Sequence, residues 1–279
     1  MTQPHSLFRY TSKIFNTPQF IVAEEFTPIL QYLSSRNLGE IDFSSVVKAA
    51  AAPKKPEMVN KIGELNVSGA LTYKPVMALC EATGTSYTGL LQDFESLIAE
   101  GVKTVVMVHN SGGGEASHMM TTADRLRELA DQNGVKLISY IDTISASASL
   151  GLGIVADEVI IHPEARTGSV GALIALVDRS KALADAGIKP IYISSVEGKV
   201  PFKADGSFSD KFIAKMQKEV TDLGTKFAEH VSKYSGIPVQ DIINLDAEVF
   251  NAEEALKIGF VNKIMNHQQF AEYLATLKD

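Results

Sequence analysis

Ser145-Ala146-Ser147-Ala148-Ser149 is the stretch that decides how this chain is read. It follows an apolar run over residues 135–140 and precedes a second one rich in glycine, residues 150–155. Side chains this small let the backbone bend sharply at a strand end. A central serine can then expose its hydroxyl while the next amide, that of Ala148, faces a developing oxyanion. A second turn of this kind, His109-Asn110-Ser111-Gly112-Gly113-Gly114, closes the apolar run 102–108 and opens a helical pattern. Its glycines can present N–H groups where a Cβ would block the approach, which makes Gly113 and Gly114, with Ala148, candidate oxyanion donors. Two turns after two successive strands supply what acyl transfer needs: a nucleophile and fixed donors for the tetrahedral intermediate.

Outward from these turns the chain alternates strand and helix. Strands are predicted over 62–67, 102–108, 135–140, 154–161 and 190–194. Helical faces are marked by Tyr87, Leu90, Leu91, Phe94, Leu97 and Ile98, and again by Ala116, Met119, Met120, Ala123, Leu126, Leu129 and Ala130. Further helices are expected over 176–186, 212–234 and 252–258, the long one ending at Ser235-Gly236-Ile237-Pro238. This rhythm means an α/β fold with a largely parallel sheet, and periodicity alone does not separate a spiral of β-β-α units from a doubly wound sheet. Residues 47–56, Val-Lys-Ala-Ala-Ala-Ala-Pro-Lys-Lys-Pro, read as an exposed linker. The expected division is therefore an N-terminal appendage and linker over 1–57 and a catalytic domain over 58–279.

Asn110-Ser111-Gly112-Gly113-Gly114, Ala146-Ser147-Ala148, Ala156-Asp157 and Thr167-Gly168-Ser169-Val170-Gly171 resemble, in order and spacing, the signature blocks of the signal peptide peptidase (protease IV) family. These are Ser-Lys serine peptidases of the Clp/crotonase fold. Within that family Ala165-Arg166-Thr167-Gly168-Ser169, Lys203-Ala204-Asp205-Gly206 and Asn16-Thr17-Pro18 are most similar to the head-maturation (prohead) proteases of tailed phages. The likeness covers residues 62–264, with a weaker echo near the N-terminus. Two departures stand out: the family's Ser-Pro-Gly-Gly reads Ser111-Gly112-Gly113-Gly114, and the glycine after the nucleophile is Ala148.

The resemblance implies a Clp/crotonase-like spiral of β-β-α units, with Ser147 as nucleophile, Lys203 as general base and Ser169 orienting the lysine amine. It implies no metal or organic cofactor. As partners it implies scaffold and capsid proteins cleaved during head assembly, and a homo-oligomer. A base lysine must be neutral, which requires burial and loss of hydration; moving its pKa from about 10.4 to about 7.5 costs about 4 kcal/mol, so a formed site has to hold it. Lys199 is the rival to Lys203, and a solvated loop lysine is the ordinary alternative for either. A Ser-His-Asp arrangement would instead draw on His109, His118 or His162. Ser145 and Ser149 read as small spacers, with a nucleophile role left to them if the register is shifted by two.

Composition narrows the classes further. The 279 residues, 45% of them hydrophobic, suffice for a full core, and a net charge of −7 argues against a nucleic-acid surface. A single Cys80 rules out an intrachain disulfide, and no Cys/His spacing of a zinc site is present. No apolar run has the length of a membrane span and residues 1–11 lack a signal-peptide core, so a cytoplasmic protein without membrane contact is expected. The competing functions are a bacterial protease like the signal peptide peptidases, an acyl-CoA enzyme of the crotonase type, and an inactive assembly module. The small-residue linker 49–52 is expected to be a site of self-cleavage.

Overall fold

Every second residue of Ile62–Ser68 is buried, as a strand with one face on a core requires. The computed structural model describes residues 17–22, 57–59, 61–75, 77–78, 81–82 and 84–277. Strands are β1 (Gln19–Ile21), β2 (Glu57–Val59), β3 (Ile62–Ser68), β4 (Met77–Ala78), β5 (Glu81–Ala82), β6 (Thr104–Ser111), β7 (Gly113–Glu115), β8 (Lys136–Ala146), β9 (Glu158–Ile161), β10 (Arg166–Gly168), β11 (Val249–Asn251) and β12 (Lys263–Ile264). Helices are α1 (Tyr87–Ala99), α2 (Met119–Asn133), α3 (Ala148–Gly153), α4 (Ser180–Asp185), α5 (Asp210–Ser235), α6 (Val239–Asn244), α7 (Ala252–Ile258) and α8 (His267–Thr276). The linker 47–56 and Cys80 lie outside the described residues.

The main sheet runs β11-β10-β8-β6-β3-β2, parallel from β10 to β3 and antiparallel at both ends. β8 changes neighbours along its length. Ile138 to Ile141 pair with β9, whereas Ile144 to Ala146 pair with β10. Alternate residues of the parallel strands face two cores. Leu65, Val67, Val105, Met107, Leu137 and Ile141 pack under α1 and α2, and Val106, Ile138, Tyr140 and Ile160 pack with Phe270 of α8. The fold is thus mixed α/β with a mostly parallel sheet, as the strand–helix rhythm predicts.

Several bounds shift by a few residues, β8 running on to Ala146 and α4 spanning only Ser180–Asp185, and two differences are larger. The predicted strand over 154–161 starts at Glu158, because Ala148–Gly153 is a buried helix that caps on Ile154. Residues 190–194 form no ladder: Ile191 and Ile193 are 80% and 95% exposed, on a segment that leaves the body between Gly171 and α5. The apolar run Ile191-Tyr192-Ile193 lies on the surface rather than in a sheet. The segment folds back near its end, where Phe202 bridges Phe208 and the rings of Tyr192, Phe202, Phe208 and Phe212 stack in series.

α8 is held by few contacts, chiefly Phe270 stacked on Tyr140 with ring centroids 4.0 Å apart, and Tyr273, whose hydroxyl donates to Glu158 at 2.6 Å. Phe270→Ala is expected to lower unfolding free energy by about 3 kcal/mol, measured by urea denaturation.

Candidate active site

Three turns meet because three parallel strands end together. Thr167 pairs with Ser145 and Gly168 with Ala146, which puts Ser169 alongside Ser147, and the amide of Ser147 donates to the carbonyl of Gly168 at 2.8 Å. On the other edge of β8, a register shift after His109 brings Ser111 opposite Ser145 and so carries the glycine turn up to the serine turn. The site is at the carboxyl ends of the strands, where open α/β sheets place their crevices.

Ser147 occupies the turn itself. Its φ of 54° and ψ of −117° lie in a region strained for any residue with a Cβ, and the carbonyl of Ser147 accepts the first helical bond of α3 from Gly151. This strand–strained serine–helix geometry is that of a nucleophile elbow. The hydroxyl is fully buried and has no hydrogen-bond partner among the described residues. Ser169 also has a positive φ, 58°, fixed by its amide donating to Glu248. Strain persists in both turns because the flanking ladder bonds leave no alternative path.

Ser145 and Ser149 are more than spacers. Their hydroxyls lie 3.0 Å apart, Ser149 is 2.9 Å from His109 Nδ1, and Thr167 donates to the Ser145 carbonyl at 2.6 Å. This chain of bonds flanks the Ser147 turn and ties β6, β8, α3 and β10 together. Burial holds the imidazole of His109 neutral, its pKa pushed down to about 3. His109 therefore serves Ser149 and makes no bond to Ser147. The i, i+4 spacing of Ser145 and Ser149 was the available signal for this network, but nothing local in the chain pairs either with His109.

The remaining histidines also point elsewhere. His118 begins α2 with its ring stacked on Tyr73, and His162 lies against His267, accepting at Nδ1 from the Glu164 amide. Lys203 sits in the turn before Gly206, half exposed, with Nζ 3.0 Å from Asp210. Lys199 ends a single 3-10 turn on the same exposed segment. Neither amine bonds Ser147 within this chain.

The glycine turn is occupied. The amide of Gly113 donates to Ser111 Oγ at 3.1 Å, and β7 pairs on one side with Leu71 and on the other, antiparallel, with β1. A Cβ on Gly113 would stand 2.1 Å from the Phe20 carbonyl oxygen and 3.1 Å from that of Ala146, and the residue has φ +111°. Glycine is required here by the approach of two backbones. Phe20 through Val22 thus belong to the surroundings of the site; their long-range partner was not legible locally.

Peptidase family S49 matches residues 130–279, which include Ser147, Ser169, Lys199 and Lys203. Among curated proteins, the chain is 26% identical to the head-tail preconnector protein GP5 of Enterobacteria phage P21, over 81% of this chain and 46% of that protein. It is 26% identical to the capsid assembly protease C of Escherichia phage lambda, over 75% of this chain and 48% of that one. To the probable protease SohB of Haemophilus influenzae it is 25% identical, over 87% of this chain and 70% of the relative. The chain spans about half the length of the two phage relatives.

The strain at Ser147 makes a prediction that separates backbone from hydroxyl. Ser147→Gly removes the clash that a Cβ suffers at positive φ, so it is expected to be about 1 kcal/mol more stable than Ser147→Ala, measured by thermal and urea unfolding of the two variants. The buried imidazole makes another. The unfolded chain takes up a proton near the ordinary histidine pKa while folded His109 does not, so stability falls as pH drops from about 6.5 towards about 3, by up to about 1.4 kcal/mol per pH unit. His230, also lowered by burial, adds in the same direction. Urea midpoints between about pH 7 and about pH 5, above the carboxylate range, should fall in the wild type and fall less steeply in His109→Asn, which keeps a partner for Ser149 but cannot protonate.

Proposed function

The chain belongs to peptidase family S49, and from that premise we propose that it is a serine endopeptidase in which Ser147 is the nucleophile. The observation that carries this is the strained serine between β8 and α3, set beside Ser169 and the glycine turn. Ser147 Oγ attacks a peptide carbonyl, and the oxyanion is received by the Ala148 amide and by those of Gly113 and Gly114 once they are released from Ser111 Oγ and Phe20. Lys203 takes the proton from Ser147 and returns it to the leaving amine; Ser169 orients the lysine. The chemistry calls for no metal or organic cofactor. The change of neighbours along β8 supports a Clp/crotonase-like spiral, with the catalytic domain starting near residue 58.

Within one chain the Lys203 amine is paired to Asp210 on an exposed segment, while the Ser147 hydroxyl has no partner among the described residues. A second copy supplies the missing amine. The exposed apolar side chains of Ile188, Ile191, Ile193 and Val196 on that segment favour such an assembly, since isolated surfaces of this kind are stabilised by being covered. Burial between copies would also strip water from the amine and lower its pKa, which a neutral base needs. The names of the two phage relatives support phage scaffold and capsid proteins as substrates, acting in the host cytoplasm or the prohead.

Ser147→Ala is expected to abolish hydrolysis of those proteins and labelling by a fluorophosphonate, read by intact mass, with no loss of folding. Lys203→Ala should cut turnover by about 1000-fold; if Lys199→Ala is the dead variant and Lys203→Ala is not, the base is Lys199. Mixing the two inactive chains, Ser147→Ala and Lys203→Ala, should restore measurable activity, because some sites then combine an intact serine with an intact lysine from different copies. No recovery after mixing and co-refolding would place both groups in one chain.

A further inference from the structure

The Gly113–Glu115 strand has no open edge. Leu71 bonds to it on one side, its amide donating to Gly113 and its carbonyl accepting from Glu115. Residues 17–22 lie antiparallel on the other side, with Ile21 opposite Gly113, Phe20 opposite Gly114 and Gln19 opposite Glu115. Val22 donates to Gly112 and Ala116 donates to Pro18, so the alternation of an antiparallel ladder makes Phe20–Gly114 the hydrogen-bonded pair between them. On its far edge the same segment is closed by Leu173, which exchanges both backbone bonds with Gln19 at 2.8 and 3.0 Å. An extended peptide therefore already runs between the glycine turn and the start of the exposed segment, its Phe20 carbonyl against Gly113 and beside the Ala146 carbonyl that precedes the nucleophile.

Three features suit a segment that occupies a peptide-binding groove. It is held mostly through backbone, by ladder bonds that any extended polypeptide can make, with specificity left to alternate side chains. Those side chains are anchors: Phe20 is fully buried and stacked on Phe227 at 4.3 Å, and Val22 is buried beside it. The Ser147 hydroxyl below is itself fully buried, so no carbonyl from outside reaches it in this arrangement.

Resting on the reading of Ser147 as a peptidase nucleophile, we infer that residues 17–22 are an internal occupant of the substrate groove, and that an extended substrate segment must displace them to lie along Gly113–Glu115. The occupant is joined to its own groove through the chain, so its effective concentration there is high and only substrates presented at high local density compete with it. The motif Asn16-Thr17-Pro18 acquires a role: Pro18, lacking an N–H, ends the ladder at its one-sided bond to Ala116. A cut in the chain between residue 22 and residue 57 would turn the occupant into a dissociable peptide.

The test uses the full chain with Cys80→Ser, so that no native thiol intervenes, carrying Gln19→Cys and Leu173→Cys. Residues that exchange both bonds across an antiparallel pair have Cα atoms about 5.5 Å apart, within disulfide range. Oxidation then fixes the segment in the groove. Hydrolysis of labelled casein is expected to be at least about tenfold slower in the oxidised form and to return on reduction; equal rates in the two forms overturn the inference. A second arm does not need hydrolysis. In Ser147→Ala/Cys80→Ser/Gln19→Cys, unfolded casein should speed maleimide reaction of the introduced thiol by at least about threefold without lowering Tm, and an unchanged rate overturns the inference. If casein exposes the thiol but no form hydrolyses it, the peptidase reading fails while the groove and its occupant stand.

Discussion

The parallel register of β6, β8 and β10 is the constraint on which the site depends. Hydrogen bonds between parallel strands fix which residues end side by side, and here they deliver Ser111, Ser145 and Thr167 to one level. One residue beyond it the chain turns at Ala146 and Gly168; one more, and Ser147 and Ser169 stand together with positive φ. Shifting any of the three strands by a residue would send alternate side chains to the opposite face and separate the turns. The register shift between His109 and Ser111 matters for the same reason, since without it the glycine turn would arrive out of step with the serine turn.

Strain at the turns is sustained by bonds that do not involve the Ser147 hydroxyl. The His109–Ser149–Ser145 chain is buried and bonded at both hydroxyls, while His109 Nε2 has no partner among the described residues, and these bonds connect β6, β8 and α3. Placing an imidazole there has a consequence for acid stability, because its charged form cannot be accommodated. Gly153 shows how little room surrounds this network: a Cβ would fall 2.6 Å from Ser139 Oγ and 3.0 Å from His109 Nε2. Small residues through α3 are thus a packing requirement of the network as much as of the turn.

Opposite demands on solvent divide the molecule. The serine turn is dry and rigid, whereas the segment with Lys199 and Lys203 is exposed and carries apolar side chains outward. An amine in water keeps its proton, and an apolar segment in water is unfavourably solvated; both conditions are relieved by covering that segment. At the same time the groove beside the serine is filled by the chain's own backbone. Closure at the serine and exposure at the lysines set the two segments apart within one chain.

The sequence by itself determined the local grammar. Strand and helix periods, glycine and serine runs at strand ends, and the order of blocks from Asn110 to Gly171 were enough to expect an α/β sheet with turns built for acyl transfer, because each depends on neighbours within a few residues. It also marked Ser147 and Ser169 as the serines to examine. It overread residues 190–194 as a strand, since a short run of β-branched and aromatic side chains reads the same whether or not another strand lies beside it. Tertiary structure alone decided the pairing of His109 with Ser149, the separation of Lys203 from Ser147 and the course of residues 17–22 across Gly114. Those outcomes rest on ladder register and burial between segments 40 to more than 90 residues apart, and no local pattern of side chains encodes which distant backbone will supply a hydrogen bond or exclude the water.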